Sequence, residues 1–156
     1  MGVSTNAVIF YGILIDEDGC ECQFNDVEDI NEHYAKKIGW VSDDGGLFTD
    51  GNYTLFDNQA DEKKARKIWE KNRDELHKIT GDCDVELAYH CSGEYPMHYV
   101  GVKESETFAR RGYPVQLDEE TLNIEPDWAD KLKDYCKIMD IEYKEPSWHL
   151  VSYWDG

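Results

Sequence analysis

Ten consecutive residues, Asn6 to Ile15 (NAVIFYGILI), carry no charge, and Asp16, Glu17, Asp18 and Glu21 follow within six positions. A half-exposed strand alternates apolar and polar side chains, because its residues point to opposite faces in turn. From Ala7 onward this run offers no such alternation. Val8, Ile9, Phe10, Tyr11, Ile13, Leu14 and Ile15 are apolar on both sides. A segment of that kind suits a central strand with neighbours at its edges and cover on its faces. The first strand is therefore expected in the interior of a sheet, with an acidic turn leaving it at Gly19.

Helical stripes come next. Asn25 and Glu28 form a variant capping box, in which each side chain meets a free backbone N–H. Val27, Ile30, Tyr34 and Ile38 then recur at helical spacing, with Asp26, Glu28, Asp29 and Glu32 mostly on the other side. Lys36 and Lys37 fall where the helix dipole favours cations, and Gly39 ends the helix. A second helix is expected over about 61–79, with Ala65, Ile68, Trp69, Leu76 and Ile79 as its seam and Lys63, Lys67, Lys71 and Lys78 outside. A third begins at Pro126 and buries Trp128, Leu132, Tyr135, Cys136 and Met139.

Between these lie the strand signals. GLFTDGNYTLF (46–56) reads as an inserted β-hairpin turning at Asp50-Gly51. DVELAYHCS and PMHYVGVKE read as a hairpin pair, followed by a loop holding Arg110, Arg111, Gly112 and Pro114. SWHLVSYW reads as the last strand. Setting the inserted hairpin aside, and counting the first two helices as one layer, the order is β-α-β-β-α-β. The expectation is an α+β, ferredoxin-like antiparallel sheet with an inserted hairpin and an extra helix. At 156 residues, 1–156 is expected to be a single domain.

Charge sets the functional problem. The chain carries 34 acids against 16 bases, a formal charge of −18. Residues 1–60 and 81–156 each carry a net −10, and residues 61–80 a net +2. Such a surface repels nucleic acid and anionic membrane, so direct binding to either is disfavoured. The basic stretch Lys63, Lys64, Lys67 and Lys71 is diluted by Glu70, Asp74 and Glu75, and reads as a solvated, salt-bridged face. Ten Tyr, five Trp and five Phe argue against disorder. No apolar run reaches the roughly 18 residues of a membrane helix. The opening MGVSTNAV lacks the basic segment of a secretion signal. Five cysteines without such a signal point to reduced thiols in a cytosol-like compartment.

Four kinds of site are conceivable on these residues. DEDGCECQFNDVED lacks the calcium-loop pattern, because aligning Gly19 to the loop glycine leaves Leu14 and Asn25 at ligand positions. Cys20 and Cys22 with Cys83, Cys91, His90 or His98 lack the second close pair that zinc usually takes. Cys91 with His98 across the hairpin, oriented by Glu94, could make a thiolate–imidazole pair, although no local signature accompanies it. No phosphate-loop, dinucleotide, nucleophile-elbow or zinc-protease motif occurs, and no cofactor or metal is expected. Carboxylates remain. Acids can serve solubility alone, but small domains typically carry a net charge of about 2–8, and the self-repulsion of 18 points to an offsetting use. Asp16, Glu17, Asp18, Glu21, Asp26, Glu28, Asp29 and Glu32 are the expected partner-binding residues, with Asp43, Asp44, Asp50 and Asp57 extending the field. Trp148, Tyr153 and Trp154 are candidate aromatic anchors.

The opening TNAVIFYGILIDE resembles the start of small acidic proteins of unassigned function encoded by tailed bacteriophages. That resemblance implies a viral protein in the cytosol of an infected bacterium, blocking a host enzyme as a counter-defence. With the charge, it leads to an expected inhibitor that binds a basic, nucleic-acid-handling protein, as a possible DNA mimic. The alternatives are a small thiol-dependent enzyme or ligand-binding domain built on Cys91, His98 and Glu94, and a self-assembling virion or accessory protein.

Overall fold

A computed structural model of the chain describes residues 4–15, 24, 27–40, 59–90 and 97–155. The elements are β1 (Ser4–Leu14), α1 (Val27–Ile38), α2 (Gln59–Gly81), β2 (Val85–His90), β3 (Met97–Val102), a single 3-10 turn (Lys103–Ser105), β4 (Thr107–Arg110), α3 (Trp128–Ile138) and β5 (Ser147–Asp155). The protein is α+β, with a five-stranded open antiparallel sheet. Its contacts gather into two units, one holding the sheet and α3, the other (Phe24–Cys83) holding α1 and α2. The expected hairpin at 46–56 lies outside the described residues.

The charge-free run forms the middle of the sheet, as its pattern requires. β5 pairs with β1 from Ser4 to Gly12 and so takes one whole edge. On the other edge β4 pairs with Asn6–Ile9 and β3 with Gly12–Leu14. β3 and β4 thus follow one another along β1, interrupted by the 3-10 turn. At that interruption the Tyr11 N–H faces no strand partner, and a buried unpaired amide is costly. Ser105 resolves this: its Oγ accepts from Tyr11 N at 2.9 Å and donates to the Val102 carbonyl at 2.6 Å. Gly12 is demanded by the same edge. A Cβ there would stand 2.1 Å from the Val100 carbonyl oxygen.

Side chains sort by alternation. Tyr11, Ile13, Val85, Leu87, Val100 and Val102 are buried on the face that α3 covers with Trp128, Leu132, Tyr135 and Cys136. Tyr11, Trp128 and Trp148 form an aromatic triangle with ring centroids 5.6 to 6.2 Å apart. The Leu87 N–H donates to Tyr135 Oη at 3.1 Å, and Trp128 Nε1 donates to Glu104 at 2.6 Å. Val8, Phe10 and Tyr99 cluster on the opposite face, where Phe10 and Tyr99 stack at 3.9 Å. Burial of both sets explains why β1 tolerates no charge.

Three local expectations are corrected. The segment after β3 is not simply a loop, because Thr107–Arg110 forms β4. Thr107 and Ala109 are half-buried and Phe108 and Arg110 exposed, a four-residue alternation too short to stand out in sequence. The third helix starts at Trp128 rather than Pro126, preceded by a turn in which Trp128 N donates to the Glu125 carbonyl. Ile38, expected in the buried stripe of α1, is 42% exposed. The end of α1 is as read. Gly39 takes φ 75°, Trp40 N donates to the Ala35 carbonyl and Gly39 N to that of Lys36, a pairing that closes a helix through a left-handed glycine.

Candidate partner-binding surface

Of the eight carboxylates expected to bind a partner, Asp16, Glu17, Asp18, Glu21 and Asp26 lie outside the described residues, as does the side chain of Glu28. Asp29 and Glu32 stand on α1, both half-buried. Glu32 pairs with Lys36 one turn on, at 3.2 Å. A pair at this spacing contributes only about 0.3–0.5 kcal/mol.

A second carboxylate array, which the sequence reading did not single out, lies between β4 and the end of α3. Asp118, Glu119, Glu120, Glu125, Asp127, Asp130 and Asp134 are all exposed. Hydrogen bonds within the chain hold Asp118, Glu120 and Glu125. Asp118 Oδ1 accepts from Thr121 N at 2.8 Å and from Thr121 Oγ1 at 2.7 Å, which holds its carboxyl below the usual aspartate range. Leu122 N donates to the Asp118 carbonyl, Asn123 N to that of Glu120, and Asn123 Nδ2 to Glu125 Oε1 at 2.9 Å. The turn is thus set by its own Asx-type bonding rather than by a strand or helix. On α3, Asp130 and Asp134 stand one turn apart, about 5.4 Å along the axis.

Among the described residues, one member of this array is neutralised. Lys131 Nζ lies 2.9 Å from Asp127 and 2.8 Å from Asp84, and the two carboxylates raise its pKa. Glu119, Glu120, Asp130 and Asp134 have no ion pair among the described residues. Exposed apolar side chains are interleaved with the acids: Val115, Leu117, Leu122 and Ile124 are each at least 40% exposed. The available signal in sequence was the run LDEETLNIEPDWAD, in which acids and large aliphatics alternate without a helical or strand period.

The remaining candidates separate. Cys91 and Glu94 lie outside the described residues, whereas His98 is buried on β3 with its ring 6.0 Å from that of Tyr89. Cys20 and Cys22 are likewise outside them. Cys83 is half-buried and accepts from the Tyr34 hydroxyl at 3.9 Å, and burial pushes the Cys136 thiol up to about 11. No three His, Cys, Asp or Glu among the described residues gather as a metal site would require. Of the aromatic anchors, Trp148 is half-buried in the triangle with Tyr11 and Trp128. Tyr153 packs against the Val8 cluster, and the Trp154 side chain lies outside the described residues.

One buried carboxyl stands apart. Tyr99 Oη donates to Glu106 Oε1 at 3.0 Å, over the glycine surface made by Gly101. Burial first, and the neighbouring Glu86 carboxylate second, push Glu106 up to about 7, against the opposing pull of the Tyr99 bond and Lys103. This group lies beside the Phe10–Tyr99 stack. No helix of the described residues is long and apolar enough to cross a membrane. Comparison with protein-family models, with curated proteins and with solved structures gives no match.

Proposed function

We propose that this protein acts by binding a basic partner through fixed carboxylates, as an inhibitor of a nucleic-acid-handling host protein. The observation that carries this reading is the 118–134 array, in which Glu119, Glu120, Asp130 and Asp134 are exposed and have no ion pair among the described residues, on a turn and a helix held by backbone hydrogen bonds. Duplex DNA presents one charge about every 1.7 Å of its axis, and a cationic groove built for that density accepts a rigid row of carboxylates. Interleaved aliphatics add apolar contact that charge alone lacks. The carboxylates expected from sequence at residues 16–32 are a separate candidate set, tested on its own. The resemblance of TNAVIFYGILIDE to small acidic bacteriophage proteins supports a viral origin, a cytosolic setting and a counter-defence role.

We also read the sheet as ferredoxin-like. Counting β3 and β4 as one interrupted strand, and α1 with α2 as one helical element, the chain order is β-α-β-β-α-β. The pairing of β1 on both edges supports that reading.

Two neutralised variants test the function. One carries E119Q, E120Q, D130N and D134N, and the other D26N, E28Q, D29N and E32Q. Each is immobilised beside the wild type and exposed to host lysate at about 50 mM salt, then eluted with duplex DNA. A basic protein that wild type retains, that DNA releases, and that the first variant fails to retain is the expected result. Equal retention by all three, or no DNA-released protein, refutes the reading. Unchanged thermal unfolding of the variants guards against loss by misfolding.

A further inference from the structure

The base-poor sheet unit sets two adjacent arginines beside a surface concavity of about 490 Å³, lined chiefly by Asn6, Phe108, Arg110, Arg111, Tyr113 and Tyr153. We propose that this concavity binds a nucleoside monophosphate, the arginines taking the phosphate and the aromatics the base. The inference is independent of the acidic surface and does not rest on it.

Register assembles the site. Asn6 of β1 pairs with Arg110 of β4 on one edge and with Tyr153 of β5 on the other, so the three form one cross-strand row. Directly opposed side chains in such a row begin about 4.5–5.5 Å apart. Phe108 is two residues before Arg110 and therefore shares its face. The chain then doubles back. Tyr113 N donates to the Arg110 carbonyl at 2.9 Å, and Gly112 takes φ 81°, the positive value that a type II turn requires at its third position. That turn brings Arg111 and Tyr113 to the mouth formed by the row. The site is built from a strand pair and a hydrogen-bonded turn, and so is formed before any ligand arrives.

Its chemistry is opposite to that of the rest of the protein. None of its described lining residues is acidic, on a chain with 34 acids. Arg110 is exposed and makes no ion pair among the described residues, although carboxylates outnumber bases two to one. A guanidinium offers a planar fork of donors that matches phosphate oxygens. Phe108 is 54% exposed and Tyr113 74%, so both rings are open to stacking. A hollow of this volume falls within the usual range of about 300–1,000 Å³ for small-molecule sites. The net −18 selects among phosphates. A strand of nucleic acid would bring many charges against a repelling surface, whereas a mononucleotide brings its charge only to the two arginines.

Calorimetric titration of the full chain at low salt is the test. The probes are the four ribonucleoside 5′-monophosphates, adenosine, inorganic phosphate and a short oligoadenylate. At least one monophosphate is expected to bind about tenfold or more tighter than adenosine and phosphate each do alone. Arg110→Gln and Phe108→Ala should each weaken it by about tenfold, as loss of a charged contact or a stacking ring does. Circular dichroism of the variants should match wild type. No binding of any monophosphate overturns the proposal. So does phosphate binding as tightly as the nucleotides, which would mean an anion site only. An oligoadenylate that binds more tightly than every monophosphate also overturns it, as does binding unaffected by both substitutions.

Discussion

Replacing Glu106 by Gln should stabilise the protein in mildly alkaline solution and do little in acid. Gln keeps an oxygen that accepts from Tyr99 Oη, so the 3.0 Å hydrogen bond survives while the charge goes. The folded protein raises this carboxyl from 4.5 to about 7, through burial and then through Glu86. A raised folded pKa means that the native state holds a proton the unfolded chain has released. Stability from that group is full below about pH 4.5 and is lost as pH climbs to about 7. Fully realised, the difference is about 3 kcal/mol. Glu106 is only partly buried, and solvent screening lowers this to about 1–2 kcal/mol. Urea unfolding followed by tryptophan fluorescence, at about pH 5, 6, 7 and 8, measures it, and subtracting wild type from variant cancels every other titrating group. With a urea slope of about 2 kcal/mol per molar, the variant midpoint should rise by about 0.5–1 M at the alkaline end and by a small fraction of that at the acid end. A variant less stable than wild type at about pH 8, or a difference that ignores pH, refutes the argument.

Gly12→Ala should destabilise the sheet by about 3 kcal/mol or more, because the added methyl meets the Val100 carbonyl rather than a movable side chain; chemical denaturation checks it, and a change below about 1 kcal/mol would mean the strands part easily there. Ser105→Ala leaves the buried Tyr11 N–H without its acceptor and should cost about 1–3 kcal/mol, with faster hydrogen exchange at that amide; unchanged exchange would remove Ser105 from this role. Cys136, buried with its thiol raised to about 11, should resist alkylation in native buffer and react only on unfolding; mass spectrometry of the alkylated peptide decides this.

Much of the local structure was legible because it is encoded along the chain. Ten uncharged residues called for an interior strand, and β1 pairs on both edges. The spacing of Trp128, Leu132, Tyr135, Cys136 and Met139 marked the covered face of α3, and all five are buried. Gly39 marked a helix end through its freedom at positive φ. Neither the carboxylate array of 118–134 nor the hollow beside Arg110 was legible in this way. The acids of 118–125 follow no period, because an Asx-bonded turn rather than a repeating element positions them. β4 is four residues long, too short for alternation to be informative.

What the tertiary structure alone decided is which distant residues meet. Tyr11 finds Ser105 across 94 positions, and Asn6 comes to lie between Arg110 and Tyr153. Tyr99 and Glu106, only seven apart, touch because the 3-10 turn folds one back over the glycine beside the other. Each meeting depends on strand register, and a slip of one residue would send every side chain to the opposite face. Hydrophobic periodicity fixes which face a residue takes. Register is chosen only when the faces of all the strands are buried together, so no single stretch of sequence contains it.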